Sequence, residues 1–143
     1  MPSMRHISGY KTMEEKERLA KGNALRRRVL GSAYVDAPGP APTKFQAAFR
    51  AFAEEHCWAN VWIRPGLELR ERSMINLAIL ASLARWPEFE VHIHGALNNG
   101  VTEDEIVEII LQAGVYAGIP VASEGFRAAD RAVAQYRKQN EAR

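Results

Sequence analysis

Cysteine is almost missing from this chain: of 143 residues only Cys57 carries a thiol. No disulfide can close within it, and no CxxC pair is present for thiol redox or zinc chemistry. A surplus of either charge is missing as well, since 19 Lys and Arg against 17 Asp and Glu give a formal net charge of +2. That balance is too weak to argue for nucleic acid as a partner. No apolar run approaches the roughly 20 residues needed to cross a bilayer, and the opening Met1-Pro2-Ser3-Met4-Arg5-His6 lacks the apolar core of a signal peptide. The expectation is a cytoplasmic protein with no membrane partner. Alternating strand patterns are absent too, which points to an all-α fold.

What is there suits one domain spanning residues 1–143, with 47% hydrophobic and 25% charged residues. Residues 1–11 read as a flexible N-terminal arm. Thr12 with Glu15 forms a capping box for an exposed helix over 13–30, which Gly31 stops. Near its end, Arg26-Arg27-Arg28 reads as a solvated face that complements the helix dipole, with phosphate or an acidic partner as the alternative. The prolines of residues 37–42 forbid helix and make a stiff connector. Thr43 with Gln46 repeats the capping box, and Phe45, Ala48, Phe49, Phe52 and His56 then recur at helical spacing. This aromatic stripe suits a core or a subunit interface. His56 and Cys57 are helical neighbours pointing about 100° apart, so they read as packing residues rather than a nucleophilic pair.

Residues 58–67, broken by Pro65-Gly66, read as a connector carrying Trp58, Trp62 and Arg64. Two uses fit: a packing lid, or an arginine held between aromatic faces to grip a carboxylate. A third helix opens with the charged Glu68-Leu69-Arg70-Glu71-Arg72-Ser73 and continues over 74–83 with little polar besides Asn76 and Ser82. Such a pattern predicts a central helix buried on every side. Pro87 suits the first turn of the next helix, which reaches Gly100. Thr102 with Glu105 is a third capping box, opening an apolar helix through Tyr116. After Gly118-Ile119-Pro120 a last helix covers 121–138, making about six helices.

Polar groups crowd the short helix between the two apolar ones. Glu88 and His92 are four apart and share a face, so the carboxylate can orient the imidazole and raise its basicity. Asn99 extends that face, while Glu90, His94 and Asn98 form a second row. His92 and His94 diverge by roughly 200° and cannot easily clasp one metal ion. One reading makes these groups a paired structural set; the other makes them a site that handles protons.

Arg64-Pro65-Gly66-Leu67, Arg72-Ser73, Asn76-Leu77-Ala78, the run from His92-Ile93-His94-Gly95 to Asn99-Gly100-Val101-Thr102, and Val115-Tyr116-Ala117-Gly118-Ile119-Pro120 closely resemble the carboxymuconolactone decarboxylase family. Val29 to Val35 and Cys57-Trp58 to Trp62 are similar to its N-terminal part, so the likeness covers most of the chain. The resemblance implies an all-α orthogonal helical fold of the AhpD-like kind and a homo-oligomer, hexamer or trimer. It also implies cofactor-free loss of carbon dioxide from 4-carboxymuconolactone, or a closely related lactone acid, to give 3-oxoadipate enol-lactone. That reaction belongs to the β-ketoadipate pathway of aromatic (protocatechuate) catabolism. The alkylhydroperoxidase-like members of the family use a CxxC pair with a downstream histidine and an upstream glutamate. Aligned on His92, this chain has Arg85 and Glu88 in place of those cysteines and Ser73 in place of that glutamate, so there are no two sulfurs to oxidise. His94 stands where decarboxylase-like sequences often carry arginine.

The chemistry so implied suits these residue types. Loss of carbon dioxide sends electrons through a double bond onto the lactone carbonyl, and the oxygen that gains charge is best met by fixed donors in a dry site. In this expectation His92, oriented by Glu88, donates to that oxygen or delivers the proton. Asn99 is a second donor, and Arg72 and Arg64 hold substrate carboxylates. Trp62 and Tyr116 surround the leaving carboxylate where its charge is poorly solvated, with Ser73 and His94 also at the substrate. No metal and no cofactor is called for. Two other classes fit the same residues: an enzyme acting on another lactone or β-keto acid, and a non-catalytic oligomeric binding protein with His92 and Glu88 as a structural pair.

Overall fold

Thr43 and Thr102 open two helices by one device. Each hydroxyl accepts from the backbone N–H three residues on at 3.2 Å, and the side chain there, Gln46 or Glu105, accepts from the threonine N–H at 2.9 Å. The computed structural model describes residues 13–142, so Thr12 and the 1–11 arm lie outside the described residues. In chain order the helices are α1 (Glu15–Leu30), α2 (Ser32–Val35), α3 (Lys44–Ala53), a π-helix (Glu54–Trp62), α4 (Leu69–Ser82), α5 (Trp86–Asn98), α6 (Glu103–Ala117) and α7 (Ile119–Glu141). No strand occurs among the described residues, and the fold is all-α as the sequence pattern requires. The chain divides into two compact units, one ending at Glu68 and one beginning at Leu69.

In the first unit α1 packs against the π-helix. Contact is made backbone to backbone, because a β-carbon at Gly22 would stand 2.7 Å from the Ala59 nitrogen. Beside it Trp58 and Trp62 are buried and stacked, ring centroids 4.8 Å apart. The expected connector is therefore helical as far as Trp62. A π-helix bonds each N–H to the carbonyl five residues back instead of four, and it is rare enough that helical spacing alone does not announce it.

Two further expectations for this unit are revised: of core and subunit interface for the aromatic stripe the core is ruled out, and the packing reading of His56 and Cys57 is corrected. Phe45 is 86% exposed, and Phe49 and Phe52 are exposed with it, so the aromatic stripe is no part of this chain's core. An apolar stripe states that one face avoids water without stating what covers it. His56 and Cys57 are exposed rather than packed, and the His56 ring leans on Phe52 at 4.5 Å. In the basic run, Arg26 pairs with Glu54 at 3.5 Å, and Arg27 Nε meets both oxygens of Asp36 at 3.0 and 3.1 Å. That guanidinium holds the Asp36 carboxyl below its usual range.

In the second unit α4 packs on α5 and α6, and α7 packs on the same two helices. Leu77, Phe89, Ile93, Ile106, Ile110 and Ala128 fill the space among them. The prediction that α4 is buried on every side fails on one face: Ile75, Ile79 and Leu83 are exposed, while Leu77 and Ala81 face the core. Val107, Leu111 and Val115 leave a similar exposed stripe on α6. Both helices are apolar on two sides, and a single chain covers one.

The ends of α4 and α5 share a geometry. Arg85 N–H reaches the Leu80 carbonyl at 2.8 Å and Ala84 N–H reaches Ala81 at 2.9 Å, while Val101 and Gly100 do the same to Ala96 and Leu97 at 2.9 and 3.1 Å. This six-to-one, five-to-two pattern needs a left-handed residue, which is Gly100 in one case and Ala84 (φ +53°) in the other. The last helix begins two residues earlier than expected, with Gly118 ahead of it and Pro120 in its first turn, and continues to Glu141.

Candidate active site

α4 and α5 lie side by side, and each carries polar groups one helical turn apart. On α4 these are Arg72 and Asn76; on α5 they are Glu88 and His92. The contact between the rows joins Asn76 to His92, with the amide Nδ2 donating to ring Nδ1 at 3.3 Å. The ring is half-buried. Burial pushes its pKa down to about 4, against the pull of the Glu88 carboxylate toward the protonated form. The expected rise in basicity is thus reversed, because stripping water from an imidazolium outweighs an exposed carboxylate one turn away.

Ser73 and Asn99 make a second polar contact between α4 and the end of α5. Asn99, the residue after α5, donates through Nδ2 to Ser73 Oγ at 2.9 Å and to the Leu69 carbonyl at 3.4 Å, and Ser73 is fully buried. The amide hydrogens expected to face substrate are instead engaged in tying the end of α5 to the first turn of α4. Next to them Arg70 forms an ion pair with Glu105, which also closes the Thr102 capping box. The backbone N–H of Thr102, with Arg70 adding to it, holds the Glu105 carboxyl below its usual range although partial burial works the other way.

The second row on α5 points elsewhere. His94 Nε2 donates to the Ala132 carbonyl at 2.9 Å and its ring meets the Tyr136 ring at 5.5 Å. Asn98 accepts from the Tyr136 hydroxyl at 3.0 Å, and Glu90 accepts from Arg131 at 2.6 Å. All three partners are on α7, so His94 is not brought together with His92. Tyr116 stands 84% exposed near the end of α6. Trp62 is buried on Trp58, and Arg64 is exposed, in the first unit. A cavity of about 190 Å³ between α6 and α7 is floored by Ile106 and Ile110 and includes none of the expected site residues. Among the described residues no three His, Cys, Asp or Glu side chains gather as metal ligands would.

Sequence reasoning missed the role of Asn76. The available signal was its place as the polar interruption of an apolar run, one turn after Arg72. Asn76, one turn after Arg72 on α4, thus holds the half-buried imidazole of His92 on α5, and such a ring can donate to an oxygen gaining charge.

Comparison with known proteins agrees. Residues 46–131 match the model of the carboxymuconolactone decarboxylase family, more than half of the chain. The chain is 35% identical over 118 residues to a 4-carboxymuconolactone decarboxylase of Acinetobacter baylyi, covering 82% of this chain and 88% of that protein. It is 40% identical over 104 residues to a nitrosuccinic acid decarboxylase of Metarhizium robertsii, covering 73% of each. Both relatives are decarboxylases, which supports carboxy-lyase activity here. On the family match and these identities together, the chain belongs to the carboxymuconolactone decarboxylase family.

Proposed function

We propose that this decarboxylase acts without a cofactor on 4-carboxymuconolactone or a closely related lactone acid, releasing carbon dioxide and giving 3-oxoadipate enol-lactone. The observation that carries the reading is the half-buried His92 ring held by Asn76 on the same helix as Arg72. Arg72 binds a substrate carboxylate. The bond from the ring carbon to its carboxylate breaks, and the electron pair moves through the double bond to the lactone carbonyl oxygen. His92 donates to that oxygen, and a carbon of the resulting dienolate is then protonated. Glu88 acts on the ring through its charge. Ser73 and Asn99 support the site by tying the end of α5 to the first turn of α4.

The pathway is the β-ketoadipate route in the cytoplasm, and the active form is a homo-oligomer, trimer or hexamer. Support for assembly comes from the exposed apolar rows of α3, α4 and α6. No helix among the described residues is long and apolar enough to cross a membrane.

A second reading is favoured by the nitrosuccinic acid decarboxylase relative. In such a substrate the carboxylate lost sits beside a nitro group, so the electron pair ends on nitro oxygens instead of a lactone oxygen. The same donor on the same kind of oxyanion would serve both. Incubating the purified chain with each acid and measuring carbon dioxide release decides between them. Turnover of the lactone acid at least roughly a hundredfold above the nitro acid supports the first reading, and the reverse ratio replaces it with the second. Release from neither acid rejects both.

A further inference from the structure

We infer that Asn76 is a positioning residue that locks His92 as a neutral imidazole with its hydrogen on Nε2, so that the ring serves as a hydrogen-bond donor and not as the source of the proton. An amide nitrogen carries two hydrogens and accepts none, so the ring nitrogen it faces at 3.3 Å must accept through its lone pair. With Nδ1 unprotonated, Nε2 is the atom that bears hydrogen. A charged imidazolium would place N–H against N–H across this contact, and the half-buried setting opposes that charge as well. Burial of the ring, which pushes its pKa well down, agrees.

The consequence rests on the decarboxylase reading above. A neutral imidazole can stabilise an oxygen that gains charge by donating Nε2–H to it, and the proton remains on the nitrogen throughout. Delivering that proton to carbon would leave an anionic imidazolate in a half-buried site, whereas hydronium from solvent leaves only neutral water. The two roles open to His92 therefore reduce to one. The carbon–carbon bond to the carboxylate breaks, the electron pair reaches the oxygen that His92 faces, and the carbon takes its proton from solvent hydronium, which leaves water, so one proton is consumed for each carbon dioxide released.

Asn76 also differs from a mere packing contact in what substitution does. Asn76→Asp keeps size and shape but turns the donor into an acceptor, so Nδ1 must become the protonated nitrogen and Nε2 loses its hydrogen or the ring becomes charged. Asn76→Leu removes the contact and leaves both neutral tautomers open.

The test is a long-range proton–nitrogen correlation spectrum of the full chain with nitrogen-15 histidine at pH 7, His92 being assigned by its loss in His92→Gln. The expected spectrum shows a pyridine-type Nδ1 and a pyrrole-type Nε2. In Asn76→Asp the pattern reverses or becomes that of imidazolium, and kcat falls at least about tenfold with KM within about twofold. A protonated Nδ1 or an imidazolium in the unsubstituted protein overturns the inference, even if Asn76→Asp fails to fold. An unchanged ring pattern in a folded Asn76→Asp overturns it too. No substrate is needed for the spectrum, so its outcome is separable: the expected tautomer without carbon dioxide release sinks the functional reading alone, and release with an Nδ1–H ring sinks only this one.

Discussion

His92 and His94 sit two residues apart on one helix, both half-buried, and they differ in what they are offered. His94 meets a backbone carbonyl, which takes its Nε2 hydrogen, and an aromatic edge from Tyr136. His92 meets an amide that gives a hydrogen to Nδ1. One ring has its donor engaged by the protein; the other has its acceptor engaged. Residue type and burial alone do not distinguish a structural histidine from a chemical one. The direction in which each partner donates is the difference that the fold adds.

That contrast is open to attack in several ways. His92→Ala should lower kcat on the preferred acid at least roughly a hundredfold with helix content by circular dichroism intact, while unchanged turnover would move the chemistry elsewhere. A second effect concerns pH. With a folded pKa of about 4, the ring stays neutral in the fold where an unfolded chain would take up a second ring proton near 6.5. Its contribution to stability is fully present above about pH 6.5 and is lost as pH falls toward 4, up to about 3 kcal/mol. Urea unfolding across that range should show this fall, and His92→Gln should flatten it; a flat profile in the parent protein would mean the ring is not held neutral. His94→Ala should reverse the pattern of His92→Ala, leaving kcat within about twofold but lowering stability by about 1–3 kcal/mol. The smallest effect is expected of Tyr136→Phe, which removes the 3.0 Å bond to Asn98 and should cost about 0.5–1.5 kcal/mol in thermal unfolding with no change in rate. A rate change with either of these last two variants would bring the α7 side of α5 into the chemistry.

Local signals carried much of the architecture. Capping boxes at Thr43 and Thr102 open α3 and α6, and glycines at 31, 100 and 118 mark helix ends, because those devices are complete within a few residues. The divergence of the two histidine rows was legible for the same reason: helical period alone sets it. What sequence could not supply was the far partner. Nothing in a linear pattern says that Asn76 meets His92, or that Asn99 turns to Ser73 instead of substrate. Burial of α4 was overread because an apolar face and a covered face look alike in sequence, as Ile75, Ile79 and Leu83 demonstrate. The π-helix escaped notice because Pro65-Gly66 marked the segment as a connector and because π-helices are rare.

The seating of Gly22 against Ala59 has one more consequence. Gly22 is the one glycine within α1, so no other position of that helix lacks a β-carbon where the Ala59 backbone comes this close. A missing methyl group thus acts as a keyway, and it is the vacancy rather than any bond that sets where the stacked tryptophans stop. Filling the notch, as Gly22→Ala would, leaves every hydrogen bond nominally available and still forces the two helices apart.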